Sequence, residues 1–324
     1  MADLATEANL LADDSAVVGA SKLFFYLWQT AWRYAPKVVA GDADALHDMR
    51  VAIRRLRSAL QNFEGTKAEP LLNETLRREF LSERKDFAKL GDALGAVRDF
   101  DVLDEYLRDY AKTKLNQKIG ELPGLSTFER HLQNERADAF APMVRRVNRA
   151  QEAGQLRERV ARWTLGLAAA TAPQITLSEV AHKVLPVRLE EVAFYSEVLN
   201  DSANIEGHHE LRKSLKRLRY SLEFFAPCWS SEAKPHIKTI TSLQDLLGEM
   251  NDRAVLREVA SIAFKLHIPD EDEAQSSTRT VAPPEDLLQF LKHGESRKSY
   301  LLGRARARWN ELQAEGFFEE LAKL

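Results

Sequence analysis

Apolar positions recur at helical spacing along most of the chain, and no stretch alternates as a strand with a hairpin signal would. Residues 15–35 predict a helix with a broad apolar face, ending before Pro36. The next helix is capped by Asp42 or Asp44 and breaks at Glu64-Gly65-Thr66. Residues 68–95 predict a third helix closing near Gly95, and Asp99 reads as the N-cap of a fourth, Phe100 to Lys118. Pro123-Gly124 marks a turn. Residues 125–168 are helical again, with interruptions expected at Pro142 and Gly154. AAATAPQIT, 168–176, predicts a linker. Beyond it lie a helix over 177–200 disturbed by Pro186, a basic helix before Pro227, a helix over 232–248 closing at Gly248, and another from Asp252. The acidic, Pro-flanked stretch 269–284 is expected to be a mobile loop, and 285–322 returns to helix.

One helical pattern occurs twice, as HDMRVAIRRLRSALQNF from His47 to Phe63 and as HELRKSLKRLRYSLEFF from His209 to Phe225. Counted from each His, cations fall at offsets 3, 7, 8 and 10 in both: Arg50, Arg54, Arg55 and Arg57, then Arg212, Lys216, Arg217 and Arg219, with Lys213 added in the second. Apolar residues fall at 2, 6, 9, 13 and 16: Met49, Ile53, Leu56, Leu60 and Phe63, then Leu211, Leu215, Leu218, Leu222 and Phe225. At about 100° per residue the two sets lie on opposite faces of a helix. Like charges along one face repel, so helix stability alone does not favour the pattern. A single basic face is ordinarily a solvated one. Recurrence of the same offsets 162 residues later argues for a shared use.

The repeat extends further. LGDALGAVRDFDVL (90–103) matches LQDLLGEMNDRAVL (243–256), and Lys85 and Lys238 precede Asp99 and Asp252 by the same 14 residues. The implied architecture is all-α: two antiparallel helical bundles, residues 1–172 and 173–324, related by a pseudo-two-fold, with a basic groove between or within them.

Charge sharpens this picture. The 324-residue chain is net −3, yet residues 47–57 set four Arg against Asp48 and residues 209–219 set five cations against Glu210. A local cationic surface on an otherwise anionic chain focuses its field on one anionic ligand. Cys228 is the one cysteine, which excludes an intrachain disulfide and fits a reducing, cytoplasmic setting. The start, MADLATEANLLADD, lacks the pattern of a secretory leader, and no run of 18 apolar residues predicts a membrane span.

The combination of His47-x-x-Arg50 and Arg54-Arg55-Leu-Arg57 with Leu94-Gly95-x-x-Arg98-Asp99-x-Asp101-Val102-Leu103, repeated in the second half, resembles the CHAD family, the conserved histidine α-helical domain. The resemblance covers the chain from about residue 15 onward. It departs at Lys216, where the first copy has Arg54, and at Asn251, where it has Arg98. The resemblance implies a helical two-bundle fold whose basic channel binds inorganic polyphosphate, a binding role without assigned catalysis, no cofactor, and association with polyphosphate granules. No ExExK signature or strand-rich segment is present, so the chain looks like a member without a CYTH domain.

The residues suit such a ligand. Polyphosphate has no base to stack or read, so closely spaced cations suffice. Arg offers paired donors and Lys a point charge. Offsets 3, 7 and 10 space donors about 5 Å apart along the axis. His47 and His209 add a donor at the head of each row, and an adjacent polyanion favours their charged forms. Lys85 and Lys238 are the outlying candidates, while Asp99 and Asp252 read as caps or partners for Arg.

Three rival readings stand beside this one, the plainest being a purely structural helical scaffold that docks acidic protein partners. A metal-dependent phosphohydrolase could use the His47-Asp48 doublet or His208-His209-Glu210, although the surrounding cations oppose a bound dication. General polyanion or nucleic-acid binding would use the same basic faces, which read as lacking interleaved aromatics.

Overall fold

The computed structural model describes residues 4–64, 74–152, 175–229, 233–264 and 283–324. Among them no strand forms, and one isolated antiparallel bridge joins Ser15 to Thr176. After a short α1 (Leu4–Glu7) come α2 (Ala16–Val39), α3 (Ala43–Glu64), α4 (Glu74–Tyr110) and α5 (Pro123–Glu152). Then follow α6 (Leu177–Ala193), α7 (Ile205–Phe224), α8 (Ala233–Phe264), α9 (Glu285–Ala314) and a short α10 (Phe317–Leu321). Sequential helices pack side by side within α2–α5 and within α6–α9; α3 also packs on α7, and α5 on α9. The boundary placed at 172/173 lies outside the described residues, as do most of the expected linker and the stretch 269–282.

Local chemistry explains the tight α2–α3 hairpin. Gly41, at φ 94°, ends α2 in a left-handed turn, with Gly41 N–H donating to the Val38 carbonyl at 3.0 Å and Asp42 N–H to that of Lys37 at 3.1 Å. Asp42 then caps α3, its Oδ1 accepting from the amides of Asp44 (3.0 Å) and Ala45 (2.9 Å). In the second set, Thr176 and Glu179 close a reciprocal capping box on α6, and Asn204 Oδ1 accepts from Gly207 N–H at 2.8 Å to cap α7.

Several expected breaks are absent. Helix α4 runs through Gly95 and Asp99, and α8 runs through Gly248 and Asp252. An interior Gly costs only about 1 kcal/mol. Burial of Leu90, Leu94, Val97 and Leu103 along α4 outweighs that. Asp99 is therefore no cap; it accepts an ion pair from Arg50 at 3.0 Å. Pro36, Pro142 and Pro186 all lie inside helices. Conversely, the expected helix 177–200 stops at Ala193, and turns lead into a 3₁₀ segment, Val198–Asn200. Its carbonyls find tertiary partners: Leu199 O accepts from Arg306 Nε at 2.7 Å, and Val198 O lies 2.9 Å from His208 Nε2.

The apolar faces read from the repeat are the core. Met49, Ile53, Leu56, Leu60 and Phe63, with Leu211, Leu215, Leu218, Leu222 and Phe225, are all fully buried. One apolar cluster spans both sets of helices, with Phe63 5.5 Å from Phe24 and 6.0 Å from Phe225 between ring centroids. A second cluster joins α4, α5, α8 and α9 around Leu107, Phe128 and Phe290. No helix among the described residues is long and apolar enough to cross a membrane.

Two glycines separate intrinsic helix cost from tertiary need. A Cβ on Gly248 would meet nothing within 4 Å. One on Gly124 would sit 2.6 Å from Pro284 Cβ and against Asp286, whose Oδ2 accepts from the amides of Gly124 (2.9 Å) and Leu125 (3.2 Å) to cap α5. Gly248→Ala is expected to stabilise the fold by roughly 0.5–1 kcal/mol. Gly124→Ala is expected to cost about 1–2 kcal/mol through the lost cap. Thermal and denaturant unfolding of the two variants checks the opposite signs.

Candidate functional site

Helices α3 and α7 border a common cleft of about 390 Å³. Arg50, Arg54 and Arg57 line it from α3, and Arg84 lines it from α4. Its α7 wall is formed by His209, Arg212, Lys213, Lys216, Arg217 and Tyr220. Among the lining residues Asp92 is the only carboxylate.

Some of these cations are paired outward: Arg50 with Asp99 (3.0 Å), Arg84 with Glu64 (2.5 Å), Lys213 with Glu210 (2.5 Å) and Arg217 with Glu191 (2.8 Å). Arg54, Arg57, Arg212 and Lys216 have no carboxylate at ion-pair distance among the described residues. Lys216 bears the consequence. Burial, followed by the charges of Arg54, Arg212, Arg50 and Arg219, pushes its ammonium down from 10.5 to about 6. Burial also lowers Arg57 and Arg212, but a guanidinium starts so high that both keep their charge.

Two such helices stay together through a polar layer that the repeat did not single out. Asn62, on α3 and buried, donates from Nδ2 to Ser221 Oγ at 3.0 Å. Its Oδ1 accepts from Arg188 Nη2 (2.9 Å) and Nε (3.2 Å). Arg188 pairs with Glu191 at 2.6 Å, and Glu191 in turn accepts from Arg217 Nε at 2.8 Å. Tyr220, fully buried on α7, accepts from Arg54 Nε at 2.7 Å. The guanidinium carbons of Arg54, Arg55 and Arg219 lie 5.7, 5.6 and 5.0 Å from its ring centroid. Glu223 accepts from Arg55 at 2.8 Å and faces Arg219 at 3.6 Å.

The candidates therefore separate. Arg50, Arg54, Arg57, His209, Arg212, Lys213, Lys216 and Arg217 share the cleft, while Arg55 and Arg219 turn to Glu223 and Tyr220. His47 stands outside the lining; partial burial, then Arg98, lowers its pKa. His209 lines the cleft with Nδ1 3.0 Å from Asn251 Oδ1, so the residue that departs from the first copy is its anchor. Lys85 is exposed and outside the cleft. Lys238 lines another, open cleft of about 630 Å³ with Asp245, Glu249, Arg297 and Arg304.

Tyr220 corrects the reading that the basic faces carry no aromatic. It sits at offset 11, in the middle of the cationic arc, but its complete burial leaves no ring face for a base. Asn62, Arg188 and Glu191 left no comparable trace, because their contacts join helices far apart in sequence. Gly95 signals something other than a helix end: a Cβ there would lie 3.2 Å from Arg50 Nη2, so its absence lets the guanidinium lie against α4. Among the described residues no group of three or more His, Cys, Asp or Glu is placed to hold a metal, and His208 turns to the Val198 carbonyl.

A family model described as CHAD domain matches residues 27–261. The chain is also similar to a solved structure, the crystal structure of the CHAD domain from the plant Ricinus communis. That match has a TM-score of 0.60 and 21% identity, covering 94% of this chain and 89% of that one. At such identity it is a likeness of fold. No curated protein matches.

Removing the hub of the polar layer has a definite expected cost. Asn62→Leu leaves Ser221 and a buried, charged Arg188 short of partners, which should destabilise the fold by roughly 2–3 kcal/mol. Denaturant unfolding measures it; a loss below about 0.5 kcal/mol, the size of an ordinary surface change, would show that the layer does not hold α3 to α7.

Proposed function

The chain belongs to the CHAD domain family, and on that premise we propose that it binds inorganic polyphosphate in the α3–α7 cleft without transforming it. The observation that carries this reading is a set of cations with no carboxylate at ion-pair distance among the described residues: Arg54, Arg57, Arg212 and Lys216, facing one cleft from two helices. Side chains in this state repel one another until an anion arrives. A flexible chain of phosphates supplies about one charge per unit at a spacing that neighbouring donors can meet. Arg54 and Arg57 give forked donors and Lys216 a compact charge. His209, oriented by Asn251, adds a polar tip beside them. Nucleic acid is the poorer fit, because single-strand binding uses exposed aromatic platforms and Tyr220 is covered. A cytoplasmic, granule-associated role in holding the polymer belongs to the same reading.

Titration with long-chain polyphosphate and with single- and double-stranded DNA of matched charge, across a salt series, tests the ligand. Polyphosphate is expected to bind more tightly and to keep its lead as salt rises. Curves that merge and fall together would make the cleft a general counterion-release surface. Reversing charge at Arg54 and Lys216 together should weaken polyphosphate binding by on the order of 100-fold, since each charge-assisted contact contributes roughly 1.5–3 kcal/mol. Reversal at exposed Arg145 and Arg149 of α5 should cost far less; equal losses would argue against a defined site.

Lys216 makes the affinity pH-dependent. In the free protein it is neutral above about pH 6, whereas a bound anion favours the ammonium. Binding at pH 8 therefore takes up a proton, and affinity tightens as pH falls from 8 towards 6. Lys216→Arg, permanently charged, should flatten this part of the dependence. Calorimetry in buffers of different ionisation enthalpy reads the proton uptake directly. No uptake in the native protein would remove Lys216 from the binding set.

A further inference from the structure

Lys216 differs from Lys213, the other lysine in the cleft lining. Lys213, one turn away, is exposed and held by Glu210 at 2.5 Å. Lys216 is half-buried and makes no hydrogen bond or ion pair with any described residue, while its amine stands among guanidinium groups. Arg50 and Arg54 approach from α3, and Arg212 and Arg219 share its own helix. Asp92 and Arg84 face the cleft from α4, and Asp252 of α8 lies within electrostatic reach. An unpaired amine beside a cluster able to hold a phosphate is the arrangement an enzyme uses to activate a nucleophilic lysine.

We propose that Lys216 is a site of covalent acylation by acyl phosphates, the phosphate of the reagent resting on the guanidinium groups of Arg54 and Arg212 while its carbonyl meets the amine. In that step the neutral Nζ adds to the carbonyl carbon and the carbon–oxygen bond to phosphate breaks. Phosphate departs with the proton lost from Nζ, leaving an amide on Lys216 and free inorganic phosphate. The same guanidinium groups stabilise the charge that develops on the leaving group. The product is an uncharged side chain in the middle of the cationic row, so acylation lowers the charge of the cleft and works against any anion that occupies it.

The amine is suited to this at neutral pH. With its pKa near 6 it is mostly unprotonated at pH 7, unlike an ordinary lysine. The gain in free amine is on the order of 1000-fold. Lower basicity returns about 100-fold of that, taking the Brønsted slope near 0.5 found for thiols. About tenfold remains, before any gain from seating the phosphate. Anion repulsion opposes the approach little, because cations outnumber Asp92, the one carboxylate in the lining.

The test treats the full chain with acetyl phosphate and follows each lysine by peptide mass spectrometry. Acetic anhydride, which has no phosphate, serves as the comparison reagent. At pH 7, Lys216 should be acetylated about tenfold or more faster than Lys213 or exposed Lys85 by acetyl phosphate. Added inorganic phosphate should slow that reaction at Lys216 more than its reaction with the anhydride, which a bound phosphate slows only by favouring the ammonium. Its rate should level off above about pH 7, while those of Lys213 and Lys85 continue to climb. Labelling of Lys216 no faster than that of Lys85, no competition by phosphate, or parallel rise of all three rates to pH 9 would each overturn the assignment. The result stands apart from the polyphosphate reading: a chain labelled at Lys216 that fails to bind polyphosphate keeps this site and loses that ligand.

Discussion

Two helices that each carry a row of cations pack against one another, and the rest of the structure is arranged around that repulsion. Apolar burial draws α3 and α7 into one core, where Phe63 and Phe225 meet at 6.0 Å between ring centroids. It does nothing for the charges left at the edge of the contact. Asn62, Ser221, Arg188 and Glu191 form a connected polar layer, and Glu223 takes Arg55 across the junction and Arg219 from its own helix. Tyr220 is the remaining hinge-pin, buried beneath three guanidinium groups and hydrogen-bonded to Arg54. A partly satisfied buried network would be worse than an apolar contact, so these members act together.

The compensation stops short of the cleft. Arg54, Arg57, Arg212 and Lys216 keep no carboxylate partner among the described residues, and Lys216 responds by giving up its proton near neutral pH. Such a surface carries a repulsion in the free protein that an anion seated there would relieve. On the proposed reading, stability and function pull in opposite directions at these positions, as they commonly do where a site is built from unpaired charge.

The halves of the sequence are alike in pattern but are not used alike. Gly95 gives Arg50 room against α4, whereas its counterpart Gly248 borders open space. His209 is held by Asn251 and faces the cleft, whereas His47 lies outside it beside Arg98. Lys85 and Lys238, equivalent in the repeat, end in different surroundings. Lys216, where the other copy has Arg54, supplies a lysine amine that can be neutral at ordinary pH. A repeated motif thus yields one asymmetric cleft, with permanent charge on the α3 side and a titratable amine on the α7 side.

Much of this was written in the sequence. Helical periodicity set the all-α class, and the two apolar stripes named the buried residues of α3 and α7 one by one, because a 3.6-residue period fixes which side chains share a face. The offsets of Arg50, Arg54, Arg57, Arg212 and Lys216 likewise put them on one edge of each helix. Helix ends were less legible: Gly95, Asp99, Gly248, Asp252, Pro142 and Pro186 carry local breaking signals that tertiary burial overrides at about 1 kcal/mol for each glycine. Which cations face the cleft and which turn to Glu223 was decided only by packing, since Arg54 and Arg55 are sequence neighbours with different partners. The layer of Asn62, Arg188 and Glu191 and the depressed pKa of Lys216 exist only where distant segments meet. Desolvation and Coulomb repulsion depend on distance in space, and the order of residues along a chain does not contain it.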